Sequence, residues 1–205
     1  MTLEKHIPAG AGLGGGSSDA AATLLALCRL WDLDIPSSSL SDIAAGLGSD
    51  VPFFLTEGTA LAEGRGERLT NLRPAAGLWL ALAKPAASLP TPAVYAAFAS
   101  GGVYRADDGT QGLLDALRSG SVERVGHCLR NDLQPAALTL CPEIGDVLAL
   151  MLQSGAVAAQ VSGSGSACFA LCRDRDGAES IAAAAGRRGW WSVAARTAML
   201  PLEVD

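Results

Sequence analysis

Pro8-Ala9-Gly10-Ala11-Gly12-Leu13-Gly14-Gly15-Gly16-Ser17-Ser18-Asp19 is the stretch whose reading decides the fold. Five glycines in seven positions, Gly10 to Gly16, leave successive backbone N–H groups free of side chains, so several can converge on one anion. Behind them Ala20, Ala21, Leu24, Leu27, Cys28 and Trp31 recur at three- and four-residue steps, which predicts a helix over 18–33 with Ser17 or Ser18 as N-cap. A helix N-terminus adds unpaired N–H groups and the positive end of a dipole. Three nucleotide-binding devices compete for such a run. A Walker A loop needs a lysine before the hydroxyl residue, and Ser17 follows Gly16 directly. The dinucleotide pattern GxGxxG is met formally by Gly10, Gly12 and Gly15, with Asp32 and Asp34 downstream. Its leading strand should be continuously apolar, yet Thr2–Ile7 carries Glu4 and Lys5, and no alternating βα series follows. The third device is a loop wrapped around phosphates that feeds a helix, and the run suits it. The bland alternative is a flexible linker with an ordinary cap, though linkers seldom abut a helix this apolar.

Working outward, Thr2–Ile7 reads as a short strand ahead of the run. Ser39–Leu47 reads as a second helix with Asp42 in a capping-box position. Ser49-Asp50-Val51-Pro52 forms a turn, and Thr59–Glu63 and Glu67–Leu72 form a hairpin around Gly64-Arg65-Gly66. From Leu78 the pattern changes: strand 78–83, helical stretches at 92–100, 112–118, 122–129 and 142–154, strand 156–161, a Ser162–Ser166 turn, strand 167–172, helix 177–188 and strand 190–199. This β, helices, β, β, α, β order predicts an α+β chain whose second lobe is a ferredoxin-like split βαβ with inserted helices. The lobes divide as 1–76 and 77–205, with the join near Pro74–Gly77. One leading strand, two helices and a hairpin leave the first lobe incomplete. Its apolar helix lacks sheet to cover it, so self-association through that surface is expected.

Composition narrows the function classes. Lys+Arg at 15 against Asp+Glu at 21 leaves a net charge of −6 over 205 residues. Lys5 and Lys84 are the lysines, so the chain lacks the clustered cations that coat a nucleic-acid backbone. No apolar run is long enough to span a membrane, and no export signal precedes the glycines, so a cytoplasmic location is expected. Cys28, Cys128, Cys141, Cys168 and Cys172 are odd in number, form no CxxC pair and sit among apolar residues, as reduced buried thiols do.

The residues Lys5 to Ala21 resemble the phosphate loop of the GHMP small-molecule kinases. The Gly-Gly-Gly-Ser-Ser-Asp form is similar to that of the 4-diphosphocytidyl-2-C-methyl-D-erythritol (CDP-ME) kinases. Gly48-Ser49-Asp50-Val51-Pro52-Phe53-Phe54, Gly64-Arg65-Gly66-Glu67 and Val161–Leu171 resemble three further segments of that family in order. The resemblance covers essentially the whole chain and implies a two-lobed GHMP kinase fold. It implies ATP held by Pro8, Ala9, Gly10, Ala11, Gly12, Leu13, Gly14, Gly15, Gly16, Ser17 and Ser18, with Ser17 near Mg²⁺, and Asp50 as catalytic base. Thr91, Tyr95, Gly163 and Ser164 fall where the family meets its substrate, CDP-ME, with Tyr95 stacking on the pyrimidine. A turn aspartate, a half-buried helix tyrosine and a tight hairpin are the plain structural readings of Asp50, Tyr95 and Gly163–Ser164. Lys5 falls at the rim of the nucleotide pocket, with a solvated lysine as its alternative. Asn131-Asp132-Leu133 reads as a structural family element. The family also carries strands, a lysine beside the aspartate and cytidine contacts upstream of its Lys5 equivalent. Against that pattern the chain is expected to be a fragment, a shortened gene model or a truncated homologue. A catalytically impaired nucleotide-binding chain and a homoserine- or mevalonate-type GHMP kinase are the other readings.

Overall fold

A computed structural model describes residues 2–56, 58–66, 68–72, 77–101 and 109–197. Two compact units result: the described parts of Met1–Leu13 with Ala76–Thr197, and those of Gly14–Ala75. The junction expected at Pro74–Gly77 lies, apart from Gly77, outside the described residues, as do Glu67 and the end of the last expected strand beyond Thr197.

The larger unit is built on a four-stranded antiparallel sheet. Its strands are β3 (Trp79–Lys84), β4 (Ala158–Val161), β5 (Cys168–Cys172) and β6 (Trp191–Arg196), in the spatial order β4-β5-β3-β6. First and third strands are neighbours, with the fourth beside the first and the second beside the third, which is the split βαβ order predicted above. The β3–β5 register sets Ala81 against Ala170 and Ala83 against Cys168. Side chains alternate across the sheet. Ala81, Ala83, Cys168 and Ala170 face a core with Ile144, Val147 and Met151 of α7 (Glu143–Gln153) and Ile181 and Ala185 of α8 (Arg175–Arg187). Leu80 and Leu171 face the other way, against Ala116 of α4 (Thr110–Ser119) and Val125 of α5 (Val122–Cys128). The inserted helices thus cover a second sheet face, as the unbroken apolar run Leu78–Ala83 requires. On the first face Val94 of α3 (Thr91–Gly101) and Ala136 and Ala137 of α6 (Gln134–Leu140) complete the core. Helix α6 has no counterpart in the sequence reading. It is seven residues long and lies between Pro135 in its first turn and Pro142, so too few periodic positions exist to signal it.

The leading residues differ from expectation. Residues 2–7 form no strand, and Leu3 and Ile7 are exposed. Residues up to Leu13 group with the larger unit because Ala11 O accepts from Ala167 N at 3.0 Å and Gly12 O from Ser162 Oγ at 2.7 Å.

The smaller unit holds α1 (Gly15–Leu30), α2 (Ser37–Leu47), a 3₁₀ turn at Pro52–Leu55 and an antiparallel hairpin of β1 (Thr59–Glu63) and β2 (Arg68–Leu72). Its core is Ala21, Ala44 and Val51, with Ala20, Leu24, Phe54 and Leu55 partly covered. Both helices start earlier than expected. Gly14, in left-handed conformation, is the N-cap of α1, and Pro36 that of α2, each without a side-chain cap bond. Ser17 and Ser18 therefore lie inside the first turn, where Ser18 Oγ bonds Gly15 O at 3.0 Å, and Ser39 and Asp42 lie within α2. Among the described residues no helix is long and apolar enough to cross a membrane.

Candidate active site

The residues expected to act fall into two groups, one on each unit. On the smaller unit, Ser18 N bonding Gly14 O at 2.9 Å is the first helical hydrogen bond of α1. The amides of Gly15, Gly16 and Ser17 precede it and have no acceptor within the helix. Gly14 leaves this end bare: at φ +70° it suits glycine, and a Cβ there would lie 2.8 Å from the edge of the Phe54 ring. Phe54 belongs to the 3₁₀ turn that follows Asp50, so the helix start and the aspartate segment pack together within one unit. Asp50 itself is exposed, with Ser49 Oγ 3.5 Å from its Oδ1. The hairpin tip closes on it as well, since a Cβ on Gly66 would be 3.3 Å from Asp50 Oδ1. The result is an exposed carboxylate on a short turn between a helix and a 3₁₀ turn, able to accept a proton or a hydrogen bond.

On the larger unit, the segment ending at Leu13 lies along the Ser162–Ala167 turn. Gly12 has φ +76°, and a Cβ there would collide with Ser162 O and sit 3.1 Å from Gly165 N. Only glycine permits this backbone approach. Ala11 is buried, whereas Ala9, Gly10 and Gly12 are exposed and Pro8 and Leu13 half-buried. The turn closes through Ser162 N to Ala167 O and Gly165 N to Ser162 O, both 2.9 Å, and its Gly165–Ser166 peptide is cis.

Two of the expected substrate residues meet here: Thr91 Oγ1 and Ser164 Oγ are 2.9 Å apart. Gly163 is exposed at the tip of the same turn. Tyr95 stands one helical turn beyond Thr91 on α3 with 56% of its surface exposed, an open ring face rather than a core residue.

Lys84, the residue after the strand predicted over 78–83, is 6% exposed. Its Nζ donates to Pro85 O at 3.0 Å and Ala87 O at 2.9 Å, and lies 3.5 Å from Ala86 O. Ser166 Oγ donates to the same Ala87 O at 2.5 Å, so Lys84 curls the loop that delivers Thr91 to Ser164. Carbonyl oxygens, which every residue owns, satisfy the amine, so no residue pattern announced it. All five cysteines are free thiols. Burial, followed by the neighbouring Cys141, pushes the Cys168 thiol up to about 12, which makes it a core group and not a nucleophile.

Matches to known proteins fall on both units. Residues 1–58 match the GHMP kinases N terminal domain, and residues 113–190 the GHMP kinases C terminal family. A 4-diphosphocytidyl-2-C-methyl-D-erythritol kinase of Pelotomaculum thermopropionicum is 42% identical over 183 residues, 89% of this chain and 63% of that relative. The chain thus spans a little under two thirds of that relative's length. A crystal structure of 4-(cytidine 5'-diphospho)-2C-methyl-D-erythritol kinase superposes with TM-score 0.79 at 38% identity, covering 95% of this chain and 69% of that one. Homoserine kinase from Cytophaga hutchinsonii superposes with TM-score 0.78 at 20% identity, covering 96% and 69%, which speaks to the fold alone. With the bare helix start, the exposed aspartate turn and the braced glycine turn all falling within these matches, the chain belongs to the GHMP kinase superfamily and is closely related to the CDP-ME kinases.

Proposed function

We propose that the chain acts in ATP-dependent phosphorylation of the 2-hydroxyl of CDP-ME, a step of non-mevalonate isoprenoid precursor biosynthesis. The observation that carries this reading is the 38% identity to a solved kinase of that specificity, spread over 95% of the chain. In this reading residues 8–18 hold the nucleotide. The amides of Gly15, Gly16 and Ser17, which have no acceptor within α1, suit a polyanion. Among the described residues no three His, Cys, Asp or Glu side chains converge on a metal position. Mg²⁺ shared with nucleotide phosphates needs only one or two protein oxygens, and the Ser17 hydroxyl is the one proposed. Bound there, Mg²⁺ supplies charge neutralisation of the transferring phosphoryl group. Asp50 takes the proton of the substrate hydroxyl and orients its oxygen for in-line attack. Tyr95 offers its open ring to the cytosine face, and Thr91, Gly163 and Ser164 line the substrate side.

A coupled ADP-release assay with CDP-ME tests this. The chain should turn over, and Asp50→Ala should lower kcat by roughly 10²–10⁴-fold, the usual worth of a positioned base, with nucleotide affinity kept. Turnover that survives the substitution removes Asp50 from the chemistry. The alternative reading is a nucleotide-binding chain without turnover. Binding of a fluorescent ATP analogue with no product formed would support it, and phosphorylation of homoserine or mevalonate instead of CDP-ME would reassign the substrate.

A further inference from the structure

Asn131 stands half-buried in the link between α5 and α6, thirty residues from the turn it grips. Its Nδ2 donates to Val161 O at 2.9 Å and Gly163 O at 2.7 Å, the two carbonyls that flank Ser162. Its Oδ1 accepts from Leu133 N at 2.9 Å, which sets the orientation of the amide: reversed, it would face donors with a donor and acceptors with an acceptor. Gln134 Oε1 accepts from Val161 N at 3.0 Å. On either side of Asn131, Arg130 and Asp132 pair through Nε–Oδ1 at 2.8 Å and Nη2–Oδ2 at 3.1 Å, a fork that stiffens the link. Satisfying the free edge of β4 explains the bonds to Val161, the last residue of that strand. It does not explain the shorter bond to Gly163 O, which lies beyond the strand. With both flanking carbonyls pinned, Ser162 Oγ is aimed at Gly12 O, 2.7 Å away, and Gly163 backs onto the same oxygen.

We infer that Asn131 is a positioning residue for the glycine-rich segment, acting through Ser162 on Gly12; its effect on nucleotide affinity rests on the reading that residues 8–18 hold ATP. The test is a double-mutant cycle of Asn131→Asp and Ser162→Ala, read by titration with a fluorescent ATP analogue. Aspartate keeps the acceptor for Leu133 N–H and turns a carboxylate toward two carbonyls. Binding should weaken about tenfold in Asn131→Asp and about threefold in Ser162→Ala, and the double variant should bind no worse than Asn131→Asp, because both act on one contact. Additive losses, or wild-type affinity in Asn131→Asp, overturn the inference. Should Asn131→Asp fail to fold by circular dichroism, Asn131→Ala replaces it in the cycle. Should the unsubstituted chain not bind the analogue, the kinase reading falls, and the inference is then decided by amide hydrogen exchange. Exchange at residues 10–13 should speed up in both single variants, more in Asn131→Asp, and unchanged exchange there overturns it.

Discussion

The larger unit buries Ile144, Val147, Met151 and Ile181 almost completely between a four-stranded sheet and its helices, whereas the core of the smaller unit, among the described residues, is the small set Ala21, Ala44 and Val51, with Pro52 buried beside Val51. In the smaller unit Leu30, Trp31, Ile43 and Leu47 remain exposed, with Leu30 at 73% and Trp31 at 61%. The glycine turn and the segment up to Leu13 therefore hang on a thick core, while the bare helix start and Asp50 stand on a thin one. Groups that must keep a geometry are best held by well-packed elements. The contrast assigns rigid support to the residues 8–13 side and a lower opening cost to the side that carries the aspartate.

The contrast breaks most visibly at Ile144. Ile144→Ala should cost the larger unit about 2–5 kcal/mol, read as a lower urea midpoint by the fluorescence of Trp79, Trp190 and Trp191. A loss under 1 kcal/mol would mean that the core is less closed than its burial implies. Gly12→Ala comes next. A Cβ there meets Ser162 O at a positive φ, so about 1–3 kcal/mol of strain is expected, with faster amide exchange at residues 10–13 and at the turn after Val161. In the smaller unit Val51→Ala removes two carbon groups for about 1.6 kcal/mol, and amide exchange in α1 should rise while β3 and β5 keep their protection. Equal losses of protection in all of them would dissolve the distinction between the units. Over the range from pH 8 to pH 10, the smallest effect is alkaline. The folded Cys168 thiol titrates at about 12 against an ordinary 9.0, so the folded state holds its proton more tightly. Stability should be level below about pH 9 and fall, by at most about 1.4 kcal/mol per pH unit from this group, between pH 9 and pH 12. Cys168→Ala should flatten that decline in urea melts taken at pH 8, 9 and 10.

Much of this was legible in the residues. The hairpin around Gly64–Gly66, the sequence of strands after Leu78 and the helix behind the glycines follow from local periodicity and turn chemistry, which act within a few residues. Helix starts were misread because Gly14 and Pro36 cap without side chains, and serine is the commoner signal. A strand was expected at Thr2–Ile7 on composition alone, but a strand exists only with a partner, and among the described residues none pairs with it. Of the site, Thr91 and Ser164 were named separately, and their hydroxyl pairing across 73 residues is a property of the fold.

By itself the amino-acid sequence determined where the backbone is bare, where helices can begin, which runs are apolar on both faces, and that Asp50 sits on a turn, because these depend on residue type and short spacing. Tertiary structure alone decided that the residues before Gly14 side with the larger unit, that α4 and α5 cover a second sheet face, and that Asn131 and Lys84 serve turns rather than solvent. The reason is physical: bonds to backbone carbonyls, which every residue carries, and apolar contacts between residues far apart in the chain are told apart only by their arrangement in space.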